Sequence, residues 1–271
     1  MININCNEKK LFIDGSYFIF YRYYAALNWY KRQDEGEQDT SKIMDDEFFV
    51  EKYSKFFERT LLDLKKKYKV EWNNIYFVKD CPREEIFRNK LFEGYKLRPE
   101  LKSFNRDIFK YTYKILLPKL IKDYSFCSLI GKELEADDVI AILTKEIRRY
   151  NKDTIIIIIT NDNDYLQLHD NVTLIYNLQD KELKTRIGYD CLTYLQIKII
   201  MGDKSDNIPS IIKKCGPKTA EKLALNNSEL IKLFEKNTDA KKQYDINRLL
   251  IDFNYINRII KNEFLKNITF N

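Results

Sequence analysis

KELEADDVIAILTKEIRRYNKDTIIIIITNDNDYLQL, residues 132–168, is the stretch whose reading decides the fold. The isoleucine run Ile155 to Ile159, bounded by polar residues, predicts a strand buried on both faces, as in a parallel sheet. Asp162 and Asp164 then fall just past the carboxyl end of that strand, where open α/β sheets place their ligand crevice. Glu135, Asp137 and Asp138 stand at the start of an amphipathic helix, where free N–H groups and the dipole favour negative charge. Carboxylates gathered at one place repel each other unless a cation neutralises them. The hard divalent ions Mg²⁺ and Mn²⁺ suit oxygen ligands of this kind. Acidic residues also serve as ordinary caps and turns, so the decision rests on whether further carboxylates converge.

Working outward, the pattern repeats. Leu11–Ile13 is a short apolar run ending in Asp14-Gly15-Ser16, and Ile75–Val78 is another, followed by Asp80. Phe126–Ile130 and Val172–Tyr176 read as further strands. Between them, Tyr17–Tyr30, Glu47–Lys69 and Phe104–Tyr124 read as helices, the last interrupted or ended near Pro118. The aromatic-rich Tyr17–Tyr30 segment, which holds Arg22, is either a buried helix or a surface on which bases stack. Residues 31–46 are polar and read as a loop. The fold class is therefore α/β, a central mostly parallel sheet flanked by helices.

Residues 81–106 interleave basic side chains with Phe87, Phe92 and Tyr95, which suits either a phosphate-contacting element or a solvated helix face. Beyond about Gly188 the chain turns to short helices. There lies IMGDKSDNIPSIIKKCGPKTAEKLA, residues 200–224, with Asp203 and Asp206 and a Gly216-Pro217-Lys218-Thr219 helix start. Such a start offers backbone N–H groups to a phosphate.

Composition bounds the rest. The 271 residues are 44% apolar and carry a net charge of +6, which permits a polyanionic partner. Five scattered cysteines with no CxxC pair argue against a zinc cluster and for a reducing, intracellular compartment. No signal core or apolar membrane span is read, so a soluble protein without membrane attachment is expected. The single histidine, His169, makes histidine-based acid–base chemistry improbable.

DGSYFIFYR, YK-R-P at 95–99, LEADDVIA, TNDNDYLQL and MGDKSDNIP with GPKTAEKL together resemble the 5′-nuclease family. That family comprises the 5′→3′ exonuclease domain of bacterial DNA polymerase I, bacteriophage flap endonucleases and their eukaryotic relatives. The resemblance runs from about residue 10 to about 225. It implies a PIN-like nuclease core over 1–188, with a clamp or arch at 81–106 passing a single-stranded 5′ end. It also implies a helical DNA-binding region over 189–271 with a helix-hairpin-helix at 208–224.

Position by position, the resemblance assigns nine acidic residues to a two-metal cluster. Asp14, Asp80, Glu135 and Asp137 match the first-metal group, with Asp14 and Asp80 acting partly through bound water. Asp138, Asp162, Asp164, Asp203 and Asp206 match the second group and its outer shell. Lys96 matches the lysine that contacts the scissile phosphate, and its partner arginine matches Arg98 or Arg88. Arg22, Lys213, Lys214, Gly216, Lys218 and Thr219 fall where the family meets DNA, often with a K⁺ ion at the hairpin.

Departures lie outside the acidic set. The hairpin keeps only the second glycine of Gly-x-Gly, with one residue extra. Arg22 lies one residue further from Asp14, and Arg88 one further from Asp80. The reading that results is a monomeric, stand-alone, structure-specific 5′→3′ exonuclease or flap endonuclease using two Mg²⁺ or Mn²⁺ ions. Its substrate would be DNA with a 5′ flap, or a 5′ end next to duplex. A PIN-type single-stranded RNA nuclease and a non-catalytic DNA-junction binding protein are the alternatives.

Overall fold

The computed structural model describes residues 1–32, 40–97, 104–185 and 189–271. Short β1 (Ile2–Ile4) precedes β2 (Lys10–Asp14), α1 (Gly15–Tyr30), α2 (Glu47–Tyr68) and β3 (Ile75–Lys79). Then come α3 (Asp107–Tyr111), α4 (Leu117–Tyr124), β4 (Cys127–Ile130), α5 (Ala136–Tyr150), β5 (Ile156–Ile159) and β6 (Thr173–Tyr176). The chain closes with α6 (Cys191–Met201), α7 (Pro217–Leu225), α8 (Asn227–Lys236), α9 (Thr238–Ile251), α10 (Arg258–Leu265) and β7 (Ile268–Phe270).

Five strands form one parallel sheet in the order β4-β3-β2-β5-β6. The period of two along each strand divides its side chains between two cores. Phe12, Ile156 and Ile158 pack with α5, whereas Leu11, Ile13, Ile157 and Ile159 pack with α1 and α2. Each fully buried Ile or Leu contributes about 1.5–3 kcal/mol, which is why an unbroken apolar run is stable only between two helical layers. Ile155 falls outside β5 and is 40% exposed, so the strand is one residue shorter than the isoleucine run.

Helix α1 can lie against β3 because residue 15 is glycine. A Cβ there would sit 2.5 Å from the Val78 carbonyl oxygen. Asp14 caps this helix by accepting the Tyr17 N–H at 3.1 Å, so the strand end and the helix start share one carboxylate. The expected break near Pro118 takes another form: α3 and α4 are joined through a π-helical turn over Thr112–Leu116. Proline lacks the N–H that would bond one turn back, and a local change of winding absorbs the defect.

The C-terminal helices do not stand apart from the sheet. Phe253, Ile256 and Ile268 join the core around α5, and β7 pairs in parallel with β1. The division placed at residue 188 falls within 186–188, outside the described residues. Segment 81–97 forms short 3-10 turns rather than a long helix, and Ile86 and Tyr95 pack with Leu195 of α6 and Leu250 of α9. Buried Asn247 holds this region together by donating to the Ile199 and Pro209 carbonyls at 2.9 and 2.8 Å.

Candidate metal centre

The parallel order places the carboxyl ends of β2, β3 and β5 side by side, and a cleft of about 690 Å³ opens there. Asp14 ends β2, Asp80 follows β3, and Asp162 and Asp164 follow β5; all four line the cleft. Asp14 accepts from the Thr160 hydroxyl at 3.0 Å and from the Tyr165 hydroxyl at 3.4 Å. Asp80 accepts from Ser16 Oγ at 2.5 Å and from the Ala136 N–H at 2.8 Å. The latter bond ties β3 to the first turn of α5, where the unpaired N–H groups of a helix start point at an anion.

From that helix start, Glu135 and Asp137 complete one wall. Glu135 accepts from Lys96 Nζ at 2.6 Å, the Tyr95 hydroxyl at 2.8 Å and Arg88 Nη1 at 3.1 Å. Opposite, the turn after α6 brings in Asp203 and Asp206. Asp203 accepts from the Ser205 N–H at 2.7 Å and from Lys198 Nζ at 2.8 Å, and Lys198 also meets Asp164. The Lys96 N–H donates to the Asp206 carbonyl at 3.0 Å, fastening the 94–97 turn to the 203–208 turn.

Among the described residues, two groups could grip a cation. Glu135, Asp137 and Asp138 each offer an oxygen within 4.8 Å of the others, as do Asp164, Asp203 and Asp206. The charges are not balanced by side chains alone. Burial, with Asp80 beside it, pushes the Asp14 carboxyl up to about 7. Burial and the neighbouring Asp138 and Glu135 drive Asp137 well above the carboxylate range. Burial raises Asp162 in spite of Lys198. At Asp203 burial is outweighed by Lys198, which holds the acid at about 2. Carboxylates that are buried together and resist ionisation, offering hard oxygen donors only, fit divalent cations.

The structure separates the assigned residues. Asp14, Asp80, Glu135, Asp137, Asp162, Asp164, Asp203 and Asp206 line the one cleft, and Lys96 lies among them. Asp138 does not reach it. Fully buried, Asp138 takes a two-pronged contact from Arg88, at 2.6 and 2.7 Å, and caps its own helix through the Glu135 N–H.

Arg88 is therefore corrected as a candidate for touching substrate. It is 2% exposed, and its remaining N–H donates to the Leu250 carbonyl at 2.7 Å. Arg98 lies outside the described residues. Arg22 points at α2, donating to Thr60 at 3.0 Å and lying over the Tyr21 ring, instead of into the cleft. Lys213, Lys214, Lys218 and Thr219 are exposed around the start of α7, which Gly216 caps. A Cβ on Gly216 would meet nothing within 4 Å, so no close packing requires glycine there.

Lys198 and Thr160 take part in the site without having been singled out in the sequence, and Tyr95 and Ser16 were named there only as parts of longer stretches. Lys198 is the one charged residue of α6, a signal that its ammonium group has a partner nearby.

A parallel sheet whose strand-end cleft gathers eight carboxylates, four of them at the strand ends themselves, defines a class: α/β proteins with an acidic site suited to divalent cations. Comparison with known proteins gives the family. The model described as "5′-3′ exonuclease, N-terminal resolvase-like domain" matches residues 9–191, and the chain belongs to that family. A 5′-3′ exonuclease of Buchnera aphidicola is 27% identical over 223 residues, spanning 79% of this chain and 69% of its own. A Streptococcus pneumoniae DNA polymerase I is 28% identical over 257 residues, 90% of this chain but only 27% of the polymerase.

Among solved structures, a bacteriophage T5 flap endonuclease complexed with DNA and metal ions superposes with a TM-score of 0.65 at 18% identity. It covers 96% of this chain and 97% of its own. The T5 5′-exonuclease with bound zinc gives 0.64 at the same identity and coverage. These likenesses place the fold. No helix among the described residues is long and apolar enough to cross a membrane.

Proposed function

We propose that this chain is a structure-specific 5′ nuclease that hydrolyses DNA phosphodiester bonds next to a 5′ single-stranded end. The observation that carries the reading is the convergence of eight carboxylates from five separate chain segments on one cleft that also holds Lys96. Asp14, Asp80, Glu135 and Asp137 would hold one Mg²⁺ or Mn²⁺, and Asp162, Asp164, Asp203 and Asp206 a second. Divalent cations bound there supply a water of lowered pKa and neutralise charge on the reacting phosphate.

The chain's own groups do the positioning. Lys96, held by Glu135, lies where its ammonium can turn toward a phosphate oxygen and offset developing charge. Tyr95 and buried Arg88 fix one oxygen of the Glu135 carboxylate from behind, while the other accepts from Lys96. Arg98 is proposed to assist Lys96. Exposed Lys213, Lys214, Lys218 and Thr219 and the free N–H groups of the α7 start suit the duplex backbone, with K⁺ at the hairpin and Arg22 in support. Phosphate contacts carry no sequence information, so recognition follows shape. The protein is proposed to act as a monomer.

The test is a cleavage panel of 5′-flap, nicked and single-stranded DNA and single-stranded RNA, with Mg²⁺ or with EDTA. Flap DNA is expected to be cut with Mg²⁺ only, and Asp162→Asn or Asp203→Asn to slow cutting by about 100-fold or more while retaining binding. Preferred cutting of RNA would favour a PIN-type RNA nuclease. Chelator-insensitive binding without cleavage would leave a junction-binding protein.

A further inference from the structure

Helix α9 ends where two segments of the metal centre meet it. The last carbonyls of a helix have no partner within it and carry partial negative charge. Here two consecutive ones are taken by side chains. The Leu250 carbonyl accepts from Arg88 Nε at 2.7 Å, and Arg88 in turn holds Glu135. The Ile251 carbonyl accepts from the Gln167 side-chain amide at 2.9 Å. Through its oxygen the same side chain accepts the Phe253 N–H at 3.1 Å, so Gln167 meets this corner as a neighbouring strand would.

Gln167 lies on the 3-10 segment Asn163–Leu168, which Asp162 caps by accepting the Asp164 N–H at 2.9 Å. A 3-10 run of six residues is long for hydrogen bonds of that geometry, so it draws on support from outside. Tyr165, on the same segment, is fully buried. Its ring stands edge-on to Phe253 at 6.4 Å, and its hydroxyl donates to Asp14 at 3.4 Å. We infer that residues 250–253 brace the metal centre, with Gln167 and Tyr165 as the positioning residues that carry the brace to Asp14 and to the Asp162–Asp164 turn. The corner lies outside residues 9–191, the part that matches the family model. The inference rests on the 5′-nuclease reading for what the centre does, and concerns how its ligands are held. Outer partners of metal ligands fix their orientation, and losing one weakens cation binding without removing a ligand.

The test titrates Mn²⁺ into the full chain by calorimetry, without DNA, and then follows flap cleavage against Mn²⁺ concentration. Gln167→Leu is expected to weaken Mn²⁺ binding about tenfold. Its cleavage should fall at low Mn²⁺ and recover at high Mn²⁺, with KM for DNA unchanged. Tyr165→Phe removes only the hydroxyl and keeps the ring on Phe253. It should show the same Mn²⁺ shift with little loss of melting temperature, and it decides the matter should Gln167→Leu fail to fold. Ile268→Ala, in the same core but away from the cleft, should melt lower yet bind Mn²⁺ as the wild type does. Wild-type Mn²⁺ affinity in either folded positioning variant, or an equal shift in Ile268→Ala, overturns the brace. Should the wild type leave flap DNA uncut while the Mn²⁺ shifts appear, the nuclease reading fails and the brace stands.

Discussion

Arg88 keeps a full charge where almost no water reaches, and its energetics set the stability of the metal-centre wall. Removing one partner of a buried pair leaves the other uncompensated, at a cost of about 3–5 kcal/mol. Arg88→Ala should therefore lower the urea midpoint sharply. Arg88→Met combined with Asp138→Leu should recover part of the loss, because neither charge is then stranded. A double variant no more stable than the single one would contradict this account.

Asp14 behaves in the opposite sense to a paired acid. Its carboxyl is raised to about 7 in the folded chain, against about 3.9 when unfolded, so the folded state holds the proton more tightly. The stabilisation is complete below pH about 4 and is lost as pH climbs through 7. Metal-free protein should accordingly melt several degrees lower at pH 8 than at pH 6, and Asp14→Asn should flatten that slope. An equal slope in variant and wild type would refute the burial of charge at Asp14. These residue-level properties were only half legible. Asp14 announced itself at a strand end, whereas Arg88, read as a possible partner of Lys96 at the phosphate, gave no sign in the sequence that it would be buried against Asp138.

Among the elements, the Gly202 turn and the Gly216 helix start make opposed cases. Gly202 has φ +73, and a Cβ there would lie 2.4 Å from the Ile208 carbonyl oxygen. Gly202→Ala should cost several kcal/mol or displace the Asp203 turn, with cleavage lost alongside. Gly216, with φ −83 and open space around it, should accept alanine within about 1 kcal/mol. Parallel melts of the two variants, with flap cleavage measured on each, check both. Strands β2, β3 and β5 were readable because burial on both faces leaves only apolar residues along them. Pro118 was readable as a disturbance but not as a π turn, since sequence gives the missing N–H and not how the helix repairs itself.

For the whole molecule, the pairing of β1 with β7 is the feature no local pattern could reveal. Three residues on each side, Ile2–Ile4 and Ile268–Phe270, are too few to show a period, and their partners lie at opposite ends of the sequence. The Cys6 N–H donates to the Asn271 carbonyl at 2.7 Å and the Asn271 N–H to the Ile4 carbonyl at 3.1 Å. Deleting residues 267–271 should lower the melting temperature by several degrees, because β1 and part of the α5 core lose their cover. A melting curve unchanged by the deletion would mean that the pairing adds nothing.

The bond from the Lys96 N–H to the Asp206 carbonyl has a parallel in Asn207, whose side-chain amide donates to the carbonyls of Gly94, at 3.2 Å, and Leu97. Two loops more than a hundred residues apart are thus tied directly to each other. Their amide protons should exchange with deuterium in step, and Asn207→Ala should quicken the exchange of both loops together.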